Sequence, residues 1–331
     1  FINFRYMNDK KQSGEVEVDP DRDRGTTNRW GSEINTQRLD LATKVGYVFK
    51  DMPFQSIGFQ NAFTLHDQNS YYGLNVYDIK QSSFYSNLIF NSIINNTKHK
   101  FATGINFAYD NYNEFVGLTD YGRVDNSVGA FFEYTYDNDD NFSLVLGGRV
   151  DNHNRLGTFV TPRLHLRYNP WEKSVLRFSA GRGKRAANIF AENQSLFTSS
   201  RAFSILDTDG KIYGLNPEIA WNYGLSFNQK FQLFGRNGDA GFDLYRTDFQ
   251  NQAVVDVMQS PQQVLFYNLK GKSYATSLQI EFNYELANRF SLRSAYKYYD
   301  IQTQYLSGVY QRPLQAKHRF FGNLEYETGR S

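Results

Sequence analysis

The chain has 331 residues, 40% apolar and 17% aromatic, with a mean hydropathy of −0.60, and no stretch approaches the roughly 18 to 20 uninterrupted apolar residues of a spanning helix. Its 36 basic and 34 acidic residues leave a formal charge of +2, so the balance calls for neither nucleic acid nor an acidic surface as partner. With no cysteine, a disulfide scaffold, a thiolate metal site and a cysteine nucleophile are excluded.

The 24 Tyr and 29 Phe against 7 Pro favour strands. The opening Phe1-Ile-Asn-Phe-Arg-Tyr6 reads as a strand already under way, so an export signal is expected to have been removed or to lie upstream. Alternation then predicts about fourteen strands, over residues 1–7, 36–49, 55–67, 82–94, 98–110, 124–136, 141–152, 159–169, 174–185, 218–233, 239–250, 264–284, 289–300 and 311–327. Short turns are expected at 50–54, 95–97, 137–140, 169–173, 235–238 and 285–288. Longer polar segments alternate with them at 8–35, 68–81, 111–123, 186–217, 251–263 and 301–310, with a shorter one near 153–158.

The faces are clearest between residues 98 and 151. Phe101, Ile105, Phe107 and Tyr109 share one parity, as do Val128, Ala130, Phe132, Tyr134 and Tyr136, and then Phe142, Leu144, Leu146 and Val150. The opposite parities carry Lys100, Asn106 and Asp110, Ser127 and Glu133, and Ser143, Arg149 and Asp151. A β-sandwich also alternates, but its strands average about five or six residues, and here no second layer is available for the apolar faces. An all-β, transmembrane antiparallel barrel with lipid outside and water inside fits better. The chain stops at Glu327-Thr-Gly-Arg-Ser331 without a terminal amphipathic strand. Unpaired edges are not tolerated in lipid, so residues 1–331 are expected to be one barrel domain forming part of a larger barrel.

Gly147-Gly-Arg-Val-Asp151, Phe159-Val-Thr-Pro-Arg163, Asn169-Pro170 and Leu176-Arg-Phe-Ser-Ala-Gly-Arg-Gly183 follow one another in that order. Leu215-Asn-Pro-Glu218, Trp221-Asn-Tyr-Gly224, Tyr245 through Asn251, Tyr267-Asn268 and Gln279-Ile-Glu281 come after. Together they resemble the barrel of TonB-dependent outer-membrane receptors, although Lys184-Arg-Ala-Ala187 stands where that family has Phe-Arg-Ala-Pro. The resemblance covers a little over half the chain, and the Asn, Tyr and Lys richness is most like receptors of Bacteroidetes-type bacteria. It implies a barrel of about twenty-two strands around an N-terminal plug, with the plug and the closing C-terminal strands absent from this chain. The implied partners are outer-membrane lipid, a TonB-type energy-coupling protein acting through the missing plug, a small-molecule or metal-chelate ligand, and a surface lipoprotein. Haem receptors of the family place a histidine between the two boxes, and residues 188–214 hold none, which argues against haem.

With Leu164, Leu166 and Tyr168 facing lipid, parity turns Arg163, His165 and Arg167 inward and sets Arg177 opposite them. Arg149, Arg182 and Arg185, with Lys184, are expected to complete a basic strip in the lumen. Guanidinium forks suit the carboxylates or phosphates of an anionic ligand; pairing with lumen acids or contact with a plug is the alternative. Phe190, Phe197, Phe203 and Tyr213 in the 186–217 segment, and Tyr71, Tyr72, Tyr112 and Tyr121 on neighbouring loops, are candidates for ligand contact at the extracellular mouth, with packing on one another as the alternative. The five histidines lack ligand spacing, Asp207-Thr-Asp-Gly210 and Asp137-Asn-Asp-Asp140 lack the remaining ligands of a calcium loop, and Gly181-Arg-Gly-Lys184 lacks the following Ser or Thr of a phosphate loop. No metal site, cofactor or catalytic set is expected, and no nucleophile elbow marks a hydrolase.

The function expected is TonB-dependent import of a scarce, bulky nutrient such as a siderophore or cobalamin across the bacterial outer membrane. A passive channel without a plug, and a barrel serving as scaffold of a larger outer-membrane assembly, are the alternatives.

Overall fold

The structure, a computed structural model, describes residues 1–328. In chain order its strands are β1 (Ile2–Gly14), β2 (Gly31–Phe49), β3 (Met52–Tyr72), β4 (Asn75–Ile94), β5 (Asn96–Val116), β6 (Thr119–Asp120), β7 (Arg123–Asp137), β8 (Phe142–His153), β9 (Gly157–Tyr168), β10 (Ser174–Arg185), β11 (Ala202–Ile205), β12 (Glu218–Leu233), β13 (Arg236–Asn251), β14 (Ala253–Asp256), β15 (Gln263–Asn268), β16 (Ser273–Ala287), β17 (Phe290–Tyr305), β18 (Gly308–Gln311) and β19 (His318–Tyr326). One turn of helix, α1 (Pro20–Asp23), and a 3-10 segment (Ala191–Thr198) complete the elements. Among the described residues no helix is long and apolar enough to cross a membrane, which says nothing of strands. Sixteen strands form a single wall in which successive long strands pair antiparallel, and β11, β15 and β14 form a separate three-stranded sheet. Setting the short β6 and β18 aside, the wall has the fourteen long strands that alternation predicts.

Its apolar face is the exposed one. Phe132 is 51% accessible and Val128 59%, while Asn106 and Asp151 on the other face are buried among polar neighbours. That inversion is what a barrel needs when hydrocarbon is its outer solvent. Turns at one rim are tight, and the left-handed residues they require are Asn95 (φ 64°), Asp139 (φ 62°), Lys173 (φ 60°), Arg289 (φ 63°) and the pair Phe234 (φ 51°) and Gly235 (φ 74°); two consecutive positive φ values are the hairpin geometry that matches strand twist.

Four expectations need correction. The run 264–284 is two strands, β15 in the small sheet and β16 in the wall, and 311–327 divides into β18 and β19. Both interruptions are short, residues 269–272 and 312–317, with strand-forming residues on either side, so a reading by strand-forming residues runs through them. Most of the expected long loops are strand: β3 and β4 meet at a turn of two residues, 73–74, and β5 runs on to Val116. Strands of 21 residues, as in β3 and β5, exceed the roughly 9 to 11 residues that cross a bilayer. Beyond the membrane the outer face is no longer held to apolar residues, so the apolar period disappears while the hydrogen-bond ladder continues. Tyr71, Tyr72 and Tyr112 therefore sit on strands rather than in loops. Gly73 closes its turn with φ 61°, where a Cβ would also come within 2.9 Å of the Trp30 ring.

Candidate functional site

At the rim opposite the tight turns, residues 186–217 and 252–272 leave the wall between β10 and β12 and between β13 and β16, and join through the β11–β15–β14 sheet. This cap folds onto the inner face of β3–β5, where the larger hydrophobic core of the molecule lies: Tyr72, Tyr77 and Ile79 of the wall pack with Ile189, Phe190, Phe197, Leu215, Val264 and Phe266. Tyr72, Tyr112, Tyr121, Phe190, Phe197, Phe203 and Tyr213 all come together there. Their rings engage one another, with centroids 4.6 Å apart for Phe197 and Phe203, 4.9 Å for Tyr121 and Phe190, and 5.2 Å for Tyr77 and Phe197. Tyr71 is on the other face of β3, beneath the Arg24 guanidinium at 5.1 Å.

A buried polar cluster fixes the cap to the wall. Arg123 Nη1 donates to Glu114 Oε2 at 3.0 Å and to the Tyr213 hydroxyl at 2.8 Å, and Arg123 Nε donates to Asp125 Oδ2 at 3.1 Å. Arg123 also donates to Asn188, and the Tyr213 and Tyr77 hydroxyls both donate to Glu114. The guanidinium lies 4.0 Å from the Tyr112 ring centroid and 4.8 Å from that of Tyr213. Burial, reinforced by the Glu114 charge, pushes the Tyr213 phenol far above its ordinary range, so it stays a donor. Arg155 Nε stands 3.0 Å from Asp125 Oδ1, an ion-pair distance without hydrogen-bond alignment. Farther along, Asn75 Nδ2 donates to the carbonyls of Phe197 and Ser199, each at 2.8 Å. Glu114, Arg123 and Asp125 were not singled out by the sequence. Their one signal is that three charges share the inner parity of adjoining strands.

The basic strip divides. Register puts Thr161, Arg163, His165 and Arg167 on one face of β9 with Arg149 of β8 and Arg177, Ser179 and Arg185 of β10, as expected. Arg149 donates to Asp151 at 2.6 Å and to Asn106 at 2.7 Å, Arg163 pairs with Glu133, and Arg185 pairs with Glu192 at 2.7 Å and Glu218 at 2.6 Å. Arg182 is a correction: it shares parity with Phe178 and Ala180 and stands opposite Trp221, on the outer face with Lys184. Pairing of β9 with β10 ends at Gly181 opposite Arg163, beside Pro162, which has no N–H to give. Above that point Arg182 Nη1 donates to the Val160 carbonyl at 3.4 Å and Lys184 Nζ to the Leu156 carbonyl at 2.9 Å. These side chains replace lost backbone bonds.

Glycine makes the paired arginines possible. Gly147 lies in register between Glu133 and Arg163, and a Cβ there would fall 2.8 Å from the Arg163 side chain. Several cavities open on the inner face. One of about 310 Å³ lies beneath the cap, lined by Arg185, Glu192, Glu218, Gln252, Thr303 and Arg312 among others. Another of about 640 Å³ lies nearer the tight turns, beside His165, Arg167, Arg177, Ser226, Asp243 and Tyr245. Among the described residues no three His, Asp or Glu side chains converge on a metal position.

A family profile described as "TonB dependent receptor-like, beta-barrel" matches residues 3–330. No curated protein matches the chain. Among solved structures, the copper transporter OprC is similar with a TM-score of 0.69 at 12% identity, over 98% of this chain and 58% of that one. The alcaligin outer-membrane receptor FauA of Bordetella pertussis gives 0.62 at 14% identity, over 100% and 54%. The Serratia marcescens hemophore receptor HasR, solved with its hemophore HasA and heme, gives 0.60 at 13% identity, over 98% and 57%. Identities this low carry the fold alone, and the chain spans little more than half the length of each.

Proposed function

Because the chain belongs to the TonB-dependent receptor β-barrel family of the bacterial outer membrane, we propose that it is the wall and mouth of a receptor that imports a bulky nutrient, of the siderophore or cobalamin kind, by TonB-dependent transport. The complete receptor would hold a plug within the polar lumen, and an energy-coupling protein would act through it. The observation that carries the reading is the cap: two long segments fold inward and are fixed over the inner face by a buried ion pair. A passive pore gains nothing from a packed cover over its mouth, whereas a receptor that captures a scarce ligand gains a preformed binding surface at little ordering cost. The cavity beneath the cap, about 310 Å³, sits at the lower end of ligand-site volumes, so a bulky cargo requires the cap to move.

The test is uptake of labelled ferric chelates and cobalamin by cells carrying the complete receptor, with and without collapse of the proton-motive force. Import is expected to depend on both the receptor and the force. Uptake that persists at full rate after collapse would establish a passive channel instead.

A further inference from the structure

The outer face of the wall is not uniformly bulky. Gly148, Pro162 and Ala180 stand on the neighbouring strands β8, β9 and β10 and share the outer parity. They floor a groove of about 610 Å³, walled by Phe132 and Tyr134 on one side and Trp221 on the other. A Cβ on Gly148 would meet nothing within 4 Å, so the glycine permits no close approach of neighbours and simply leaves the groove open. The groove lies in the middle of the wall and faces hydrocarbon, so neither the contents of the lumen nor the edges of the sheet border it.

A cation closes its cap end. Arg182 is directly opposite Trp221 and two residues beyond Ala180 toward the cap, in register with a row that is otherwise Phe132, Gly148, Pro162 and Trp221. A charge on a hydrocarbon-facing row is costly unless polar groups reach it. Arg182 Nε donates to Gln250 Oε1 at 3.2 Å and Nη1 to the Val160 carbonyl at 3.4 Å, while Nη2 has no partner among the described residues. The carboxylate of that row, Asp248 beyond Trp221, is held by Arg246 at 2.8 Å. Lys184 sets its ammonium in the gap between β9 and β10, 2.9 Å from the Leu156 carbonyl and 4.6 Å from the Phe159 ring centroid. Among the described residues it meets no carboxylate either. An apolar groove with two unneutralised cations at one end is complementary to an amphiphile with an acyl chain and an anionic head.

We propose that this groove and Arg182 form a binding site for a phosphate-bearing lipid of the leaflet on the cap side. An acyl chain lies along Gly148, Pro162 and Ala180, and the phosphate takes the open edge of the guanidinium, a fork suited to it. Lys184 adds positive potential from the gap. The site goes beyond the import reading and requires only that the outer face meet a bilayer.

The test places the complete receptor in phosphatidylcholine vesicles with Trp221 as the reporter, its fluorescence taken as the difference from Trp221→Phe. Brominated acyl chains quench an indole that they touch. Brominated phosphatidic acid is expected to quench Trp221 at a roughly threefold lower mole fraction than brominated phosphatidylcholine. Arg182→Gln with Lys184→Gln keeps donors for the two carbonyls and should lose that preference. Continued quenching by phosphatidylcholine shows that the wall of this variant is intact. Gly148→Phe, which fills the groove, should weaken quenching by both lipids, and Lys173→Gln at a tight turn should keep the preference. Equal quenching by the two lipids in the wild type overturns the site. So does a preference that survives in the Gln double variant or disappears in Lys173→Gln, or quenching that Gly148→Phe leaves unchanged. A preference abolished by inorganic phosphate, added against chloride at matched ionic strength, would assign Arg182 to a soluble anion and likewise remove the lipid.

Discussion

At the scale of single residues, the inner wall is held by charges that reach their partners across glycine. Gly147 leaves the space through which Arg163 crosses to Glu133. Gly147→Ala is expected to cost about 1–3 kcal/mol, the usual penalty of overpacking. Because it acts through that ion pair, its effect should be less than additive with Glu133→Gln in a denaturant-unfolding cycle; full additivity would show that the glycine serves something else. In the mouth, Glu114 and Arg123 have side chains only 1% and 5% exposed. Removing one partner leaves the other buried and uncompensated. Glu114→Gln should therefore cost about 3–5 kcal/mol and open the 186–217 segment to protease; an uncut segment in the variant would mean that its apolar packing suffices. Parity made the inward set of arginines legible, including Arg177 opposite Arg167. It also contradicted the inward placing of Arg182, whose face follows Phe178 and Ala180. Glu114 and Arg123 were not legible, since their pairing depends on a cap whose path no local pattern encodes.

At the scale of elements, strand existence was legible and strand length was not. Hydrophobic alternation reports only the part of a strand that has lipid on one side, so the upper reaches of β2 to β5 read as loop. The cap was legible as a long segment rich in aromatics, but not as a packed body with its own small sheet. Its attachment has a pH signature. Burial works against the Glu192 charge, but the Arg185 guanidinium and the Asn188 amide hold its carboxyl below the ordinary 4.5. A depressed carboxyl contributes stability that is fully present above its unfolded value and is lost as pH falls through the folded one. A nitroxide placed on the cap by Gln262→Cys, unique because the chain has no other cysteine, should thus show unchanged mobility from neutral pH down to that ordinary value and loosen only below it. Loosening nearer neutrality would point to a histidine instead. If cargo must lift the cap, tying it down should stop transport. Asn75→Cys with Ser199→Cys, joined by a cleavable bis-maleimide, is expected to reduce uptake of a bulky chelate at least tenfold, with recovery on cleavage; undiminished uptake by the tied receptor would remove the moving cap from the mechanism.

At the scale of the whole molecule, the sheet makes sense only with its apolar side turned outward. A wall whose exposed face carries Phe132, Leu146, Val150 and Phe178 would be an aggregation hazard in water, and the rim-to-rim asymmetry of tight turns and long cap follows from crossing a bilayer in one direction. This was the most legible level, because lipid and water impose a period of two on every strand at once, whereas the cap depends on contacts between residues more than a hundred positions apart, such as Gln194 with Gln68. The same physics predicts a difference between two sites three positions apart on β12. Leu225 shares the outer parity and Asn222 the inner one, so an arginine replacing each meets a different solvent at sites about 10 Å apart along the strand. Leu225→Arg is expected to cost about 2–4 kcal/mol if it lies near the midplane, while a lumen substitution leaves stability within about 0.5 kcal/mol. Reversible unfolding from lipid vesicles measures both. Equal penalties would mean that both faces see one environment, and a second protein layer rather than hydrocarbon would then have to cover the apolar side.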